Sequence, residues 1–558
     1  MKHAVKIGLA ALLLFSIASS AQTPDWLWAR NGGGTDSEAF GRTIAADANG
    51  NIYVTGNFGG SGATFGTLAL TSTGGNDIFI VKYDRNGNVV WAKSVGGSGN
   101  DTGNGIVIDS DGNVYVTGLF SSNGITFDTV QLTSAGGNDI FIAKFNTNGD
   151  VLWAKGAGGT GADVSYSIVV DNSNNAYITG YFSNTATFGS IELTSAGSSD
   201  VFVVKYDTNG NIVWAKRAGG SSGDTANCIT INASSIYLTG FFMGNTSIFG
   251  EDTLSSVGNS DVFIVKYNTN GDAIWAKSAG GSGGEIGYYI NTDADGNLYI
   301  VGNLGSGGAT FSSVQLTSAG GNDIFVAKYN ASGDVIWAKS AGGTGNDYGY
   351  NVAVKNKNIY VSGYFNDVAT FGSFQLTTNG GNDVFISKYD ENGNVILARS
   401  VGGTGTDDGW GIALDDKENI YVGGRFGSSS ISFGSYTLTN SNSATTGTSY
   451  DVFVAKFGLI VSVERNEEVP SVFQLLQNYP NPFNPSTTIS FTVVKREFAT
   501  LKVYNILGQE IATLFNGIAE PGKNYKLNFY ADNLSSGIFM VQLISGGNVQ
   551  MKKIILMK

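Results

Sequence analysis

Trp91-Ala-Lys-Ser-Val-Gly-Gly97 returns, with small variations, at Trp153, Trp214, Trp275 and Trp337. Trp28-Ala-Arg30 precedes the series and Leu397-Ala-Arg-Ser-Val-Gly-Gly403 follows it. Successive spacings are 63, 62, 61, 61, 62 and 60 residues. A second marker, Asp-x-Phe-x-x-Lys-aromatic, starts at Asp77, Asp139, Asp200, Asp261, Asp323, Asp383 and Asp451. Two markers repeated seven times each at one period define a repeat array, and that reading precedes any local assignment.

Each unit holds four strand-like runs; in the second they cover residues 105–109, 113–120, 139–145 and 151–155. They are rich in β-branched and aromatic residues and end at Asp-Gly-Asn or Asn-Thr-Asn-Gly-Asp, which is tight-hairpin chemistry. A four-stranded sheet cannot cover its own two faces, whereas seven packed radially can, so the array is expected to be all-β, a seven-bladed β-propeller. An open solenoid is the alternative. Chain order favours closure: residues 25–30 read as a fourth strand without a preceding three, and residues 451–457 as a third strand without a fourth. Paired, they complete the last blade.

At these residues the chain resembles the bacterial β-propeller repeat family known as SBBP. The first copy carries Tyr53-Val-Thr-Gly56, Phe65-Gly66, Leu70-Thr-Ser72, Asp77 to Tyr83 and Trp91 to Gly97. The resemblance spans roughly residues 25–457 and implies the fold and a surface or secreted setting, with no catalytic residues to carry over. Tyr206 to Trp214 also resembles the tryptophan-docking motif of quinoprotein propellers, which implies packing between blades. Their vicinal cysteine pair cannot exist in a chain with one cysteine.

The 558 residues include 80 Gly, 6 Pro, 1 Cys and 1 His, with 14% charged, 42% hydrophobic and a formal net charge of −13. That much apolar material can bury a core, and the acidic balance argues against nucleic acid as a partner. Residues 1–21 read as a secretory signal peptide: Lys2 and Lys6, an apolar run from Ile7 to Ile17, then Ser19-Ser-Ala21. No later run is long enough to span a membrane as a helix. His3 lies inside that leader, so the mature chain has no histidine and Cys228 as its one cysteine. Ser–His–Asp and Cys–His nucleophiles, His-ligated metals and an internal disulfide are thereby excluded.

Ten residues after each Trp28-type position stands an acid: Glu38, Asp101, Asp163, Asp224, Glu285, Asp347 and Asp407. On a propeller these ring the mouth of the central channel, on the face that carries the long connections such as residues 121–138 and the Gly-rich residues 156–165. They read either as caps on the backbone N–H groups of their own Gly-rich turns or as an acidic rim for cations. Three residues further on, four units place Tyr166, Tyr288, Tyr350 and Trp410, which read as packing or as a saccharide platform. No cofactor is called for; Ca²⁺ is the ion an acidic rim would admit. Asp109-Ser-Asp-Gly-Asn113 and Asp293-Ala-Asp-Gly-Asn297 begin like a Ca²⁺ loop but lack its twelfth-position Glu, and read as turns.

Composition changes after Phe457. Five of the six prolines fall between Pro470 and Pro521, and the repeat ends. Residues 459–472 read as a linker, and residues 473–558 as a small Ig-like β-sandwich. Four blocks there resemble the type A sorting domain of the type IX secretion system. They are Gln477-Asn-Tyr-Pro480-Asn481-Pro482-Phe483-Asn484-Pro485, residues 503–510 with Gly508, residues 534–539 with Gly537, and residues 552–558 with Lys552 and Lys553. The resemblance implies the type IX machinery as partner and passage through the periplasm and across the outer membrane to the cell surface or beyond.

The domain order is therefore leader 1–21, propeller 22–458, linker 459–472 and sorting domain 473–558. The expected function is a monomeric, non-catalytic binding or adhesion module for an extracellular glycan or protein. The alternatives are a polysaccharide lyase or glycosidase using the carboxylates and tyrosines, and a purely structural surface component.

Overall fold

In each repeat, alternating β-branched and aromatic runs closed by Asp/Asn-Gly turns fold into antiparallel strands. The computed structural model describes residues 24–34, 38–60, 62–121, 124–441, 449–459, 473–521, 523 and 525–558. The expected leader and nearly all of the expected linker lie outside them. The chain divides into two compact units between Ile460 and Val461, and no helix is present among the described residues.

In the second repeat the strands Asp101–Ile108, Val114–Phe120, Asp139–Phe145 and Val151–Gly159 pair in that order. Seven such sets of four strands are present among the described residues, four of them within six-stranded sheets. The first strand of each lies beside that of the next, and Ala39–Ala46 of the first sheet lies beside Asp407–Leu414 of the last, so the ring closes. The last sheet is finished by the chain start: Pro24–Gly34 pairs with Asp451–Leu459, Trp28 opposite Lys456 and Gly32 opposite Val452. Central strands such as Ile52–Phe58 are buried along their whole length, because neighbouring sheets cover both faces.

The connection from second to third strand, which reads as an open loop in the sequence, contains a short hairpin. Ala63–Phe65 with Leu68–Leu70 is one, and Thr185–Phe188 with Ile191–Thr194 another. Strands of three or four residues carry too little pattern to stand out. Each hairpin inserts a buried Phe that meets the Phe of the Asp-x-Phe marker. Phe65 and Phe79 rings are 5.0 Å apart, Phe188 and Phe202 5.2 Å, and Phe371 and Phe385 4.7 Å. Several hairpins also extend the preceding sheet, as where Gly32 pairs with Phe65 and Gly342 with Thr370.

The repeated tryptophan joins successive sheets. Trp214 Nε1 donates to the Thr269 carbonyl of the next repeat's turn at 3.0 Å, and Trp337 does the same to Glu391 at 3.0 Å. Gly271 in the receiving turn has φ +82°, and a Cβ there would lie 3.0 Å from the Trp214 ring, so only glycine suits the site. Leu397, the one departure from Trp, belongs to the sixth sheet. The seventh has no turn between its third and fourth strands, because the chain ends fall there. With no turn to receive it, the indole has no role.

The second unit is a sandwich of a three-stranded sheet (Gln474–Leu475, Ser486–Thr492, Tyr525–Tyr530) and a four-stranded one (Glu510–Ala519, Glu497–Asn505, Gly537–Ser545, Asn548–Leu556). Leu475, Phe483, Phe491, Leu501, Val541 and Ile554 are among the residues filling the space between them. The Pro-rich block runs along the last strand: Asn481 Oδ1 accepts from the Ile555 N–H at 2.9 Å, and the buried Phe483 exchanges backbone hydrogen bonds with Ile555 and Met557. The Pro480 carbonyl accepts from Thr487, and the Pro485 carbonyl from Ala531, while Pro482 and Asn484 are exposed. Gly508, at φ +76°, closes the turn whose N–H groups bond to Asn505 Oδ1, and Gly537 opens a strand. Lys552 and Lys553 lie on the terminal strand, half-buried and exposed respectively.

Candidate functional site

The acidic and aromatic positions sit three residues apart in the sequence, and the fold separates them. All seven acids, Glu38, Asp101, Asp163, Asp224, Glu285, Asp347 and Asp407, are 0% exposed. They do not form a solvent-facing rim, because their oxygens are turned into the joints between sheets. Asp347 Oδ2 accepts from Gly343 N–H at 2.8 Å and its Oδ1 from Asn366 N–H at 3.0 Å. Asp163 bonds Gly159 and Ser183 N–H in the same way, and Glu285 bonds Gly281 and Gly305. The acid's own N–H donates to the residue before the preceding repeat's marker Asp, as from Asp347 to Asn322 at 2.7 Å. The carboxylates of Asp101, Asp163, Asp224, Glu285, Asp347 and Asp407 thus tie the end of one sheet to the start of the next. That fixes otherwise unpaired loop N–H groups, whose burial without partners is costly.

The marker aspartates form a second buried set beside the first. Asp77, Asp139 and Asp200 each accept a loop N–H on Oδ2 while Oδ1 has no hydrogen-bond partner. At Gly342 a Cβ would lie 2.0 Å from Asp323 Oδ1 and 2.7 Å from Asp347 Oδ2, so the two carboxyl groups face each other across a glycine that has room for no side chain. Burial first, and the facing carboxyl group second, push Asp163 up to about 6 and Asp347 up to about 7. Asp383 rises to about 6 for the same reasons, with Asp407 its neighbour. At the joint after the third sheet Arg217 forms an ion pair with the marker Asp200.

The aromatic positions behave differently. Every first strand carries a β-bulge at this point, between Gly287 and Tyr289, Gly349 and Asn351, and Gly409 and Gly411, for example. The bulged residues include Tyr166, Tyr288, Tyr350 and Trp410, and a bulge re-aims a side chain out of the alternating pattern. Tyr350 and Trp410 stack at 4.7 Å and 11°, and Tyr288 meets Tyr350 edge-on at 4.9 Å. Together with Arg42, Thr43, Asn227 and Tyr289 they line a cavity of about 220 Å³. A second cavity, lined by Ile106, Ile168, Ile229, Ile290 and Ile412 among others, shares Thr43 and Tyr289 with it.

Tyr166 lies under Arg42, whose guanidinium is 3.6 Å from the ring centroid, and Arg42 Nη1 donates to Asn227 Oδ1 at 3.2 Å. Sequence reasoning missed Arg42, Asn227 and Tyr289. Arg42 and Tyr289 stand four residues after their acids and Asn227 three after Asp224, and comparing those columns across the seven copies marks Arg42 as their one charged residue.

Cys228 is buried, with its thiol pushed up to about 12 by burial, and acts as a small core residue. Asp109 and Asp293 use Oδ1 to accept N–H groups within their own turns. Among the described residues no group of three or more His, Cys, Asp or Glu side chains is arranged to hold a metal ion.

The β-propeller repeat family matches residues 28–57 and 90–124, and the secretion system C-terminal sorting domain family matches residues 477–557. An uncharacterized WD repeat-containing protein, L264, of Acanthamoeba polyphaga mimivirus is 26% identical over 475 residues, covering 70% of this chain and 34% of its own. Regulatory protein FlaEY of Caulobacter vibrioides is 25% identical over 348 residues, covering 57% and 36%. The chain therefore spans about a third of the length of these relatives. Among solved structures, a chain of the mitotic checkpoint complex overlaps at a TM-score of 0.40 and 8% identity, covering 75% of this chain and 95% of its own. The chain carries SBBP-type β-propeller repeats and a type IX secretion system C-terminal sorting domain, and that tail indicates export to the cell surface or the extracellular space.

Proposed function

We propose that the exported propeller is a non-catalytic binding module that holds an extracellular glycan at its axial pocket. The supporting observation is the set of flat rings, Tyr288, Tyr350 and Trp410, gathered by consecutive bulges around a cavity that also holds Arg42 and Asn227. Aromatic faces over a few fixed polar groups form the ordinary chemistry of a saccharide pocket. The seven acids on which the lyase or glycosidase alternative rests are buried in the joints and are not among the residues lining that cavity, which favours the binding reading. The test is the thermal unfolding of the full chain against a saccharide panel, since a ligand at 100 times its Kd adds about 2.7 kcal/mol. A midpoint shift that disappears in Trp410→Ala supports the pocket; a shift of equal size in that variant moves binding elsewhere on the propeller.

A further inference from the structure

Arg42 is the one charged residue lining the axial pocket. Its guanidinium is held from two sides, by the Tyr166 face and by Asn227 Oδ1. Asn227 is in turn fixed, its Nδ2 donating to the Gly287 carbonyl at 3.0 Å. The Arg42 carbonyl accepts from Asn351 Nδ2 at 3.3 Å, so the backbone of the bulge is anchored too. A guanidinium has five N–H donors in a rigid fork, and a single Asn oxygen uses only part of it. Among the described residues no carboxylate lies within ion-pair distance of Arg42; Asp408, on the strand that carries Trp410, is taken by Arg425 at 2.9 Å. A half-buried cation without a counter-charge is costly, and a ligand that brings the anion relieves that cost.

Size and shape narrow the ligand. At about 220 Å³ the cavity is below the ~300–1,000 Å³ of pockets for drug-sized molecules, and Thr43 and Tyr289 line both it and the adjoining cavity. It fits one ring at a chain end. Tyr350 and Trp410 stack on each other, so the carbons of such a ring meet an outer face or edge of that stack, and the remaining donors of the Arg42 fork suit a carboxylate.

We infer that the pocket takes the carboxylate-bearing terminal ring of an acidic glycan, a hexuronate, with its carboxylate on Arg42 and its ring against Tyr350 and Trp410. This rests on the glycan-binding reading above. It assigns Arg42 as the residue that discriminates acidic from neutral sugars.

The test is titration calorimetry of the full chain with glucuronate, galacturonate, glucose, galactose and inorganic phosphate. The expected result is binding of a uronate at least tenfold tighter than its neutral counterpart, with phosphate weaker than either uronate. Arg42→Gln removes that preference by bringing the uronate affinity down to within about twofold of that of the neutral sugar. Arg42→Lys, which keeps the charge and loses the fork, lies between; it decides the matter if Arg42→Gln does not fold. Equal affinity for uronate and neutral sugar overturns the inference while the glycan reading stands. Phosphate binding as tightly as a uronate overturns it as well, leaving a bare anion site. Silence from every sugar overturns both.

Discussion

The joints between sheets and the axial pocket are built from neighbouring positions of the same repeat, yet one is copied and the other is not. At the joints all seven copies agree in type: an acid, a marker Asp, a glycine pressed against it and a buried Phe from the hairpin. In the pocket the bulged position changes from copy to copy, through Asn104, Tyr166, Asn227, Tyr288, Tyr350 and Trp410, with Arg42 entering from the first strand. Every joint meets the same requirement, to pair loop N–H groups and close the ring, so divergence there has no structural use. The pocket draws its lining from five different repeats, and an asymmetric site requires that the copies differ. In a repeat protein of this kind, sameness marks scaffold and difference marks the candidate site.

That contrast predicts its largest effect at a joint. Phe202→Ala removes a fully buried ring packed at a tilt against Phe188 and should cost about 3–5 kcal/mol in urea unfolding. Trp410→Ala, in the pocket, should cost far less and abolish sugar binding instead. Equal destabilisation by the two would erase the distinction.

Next in size is an inverted pH dependence. Asp163 and Asp383 near 6 and Asp347 near 7 hold protons in the folded state that the unfolded chain releases at about 4. Their contribution is therefore fully present below about 4 and is lost as pH rises through 6 to 7. The turn aspartates Asp171, Asp293 and Asp415 are shifted down and act in the opposite sense, below pH 4, outside that window. The urea midpoint should fall between pH 5 and 7.5; a flat or rising profile would mean that the joint acids ionise without penalty.

A smaller effect sharpens the same point. Asp347→Asn keeps an oxygen for one loop N–H and offers its amide to Asp323, so it should flatten the pH profile and leave the fold and sugar binding intact. Comparing midpoints at pH 5 and 8 checks this. The smallest contrast lies in the tryptophans: Trp337→Leu should cost about 2 kcal/mol, through the lost hydrogen bond and ring packing. Leu397→Trp should gain nothing, since no turn waits to receive it.

Much of this was legible from sequence. Two markers with a constant period define the unit, the Asp/Asn-Gly pairs set the hairpins, and the unmatched strands at residues 25–30 and 451–457 announce closure, because these signals are local and repeated. The sorting domain is legible for a different reason: its blocks Gln477 to Pro485 and Lys552 to Lys558 stand in order. The inserted hairpins were not legible, since three-residue strands such as Ile125–Phe127 acquire their meaning by docking on a neighbour.

For the site, the sequence by itself determined which columns carry acids and which carry aromatics. Only the tertiary structure decided that Asp347 turns inward to Gly343 and Asn366 while Tyr350, three residues on, turns to the axis. The cause is a bulge that leaves Tyr350 as the extra residue outside the ladder, so its side chain departs from the alternating pattern. The same holds for Arg42. Its partners Tyr166 and Asn227 are more than a hundred residues away in the chain, and closure of the ring alone brings them together.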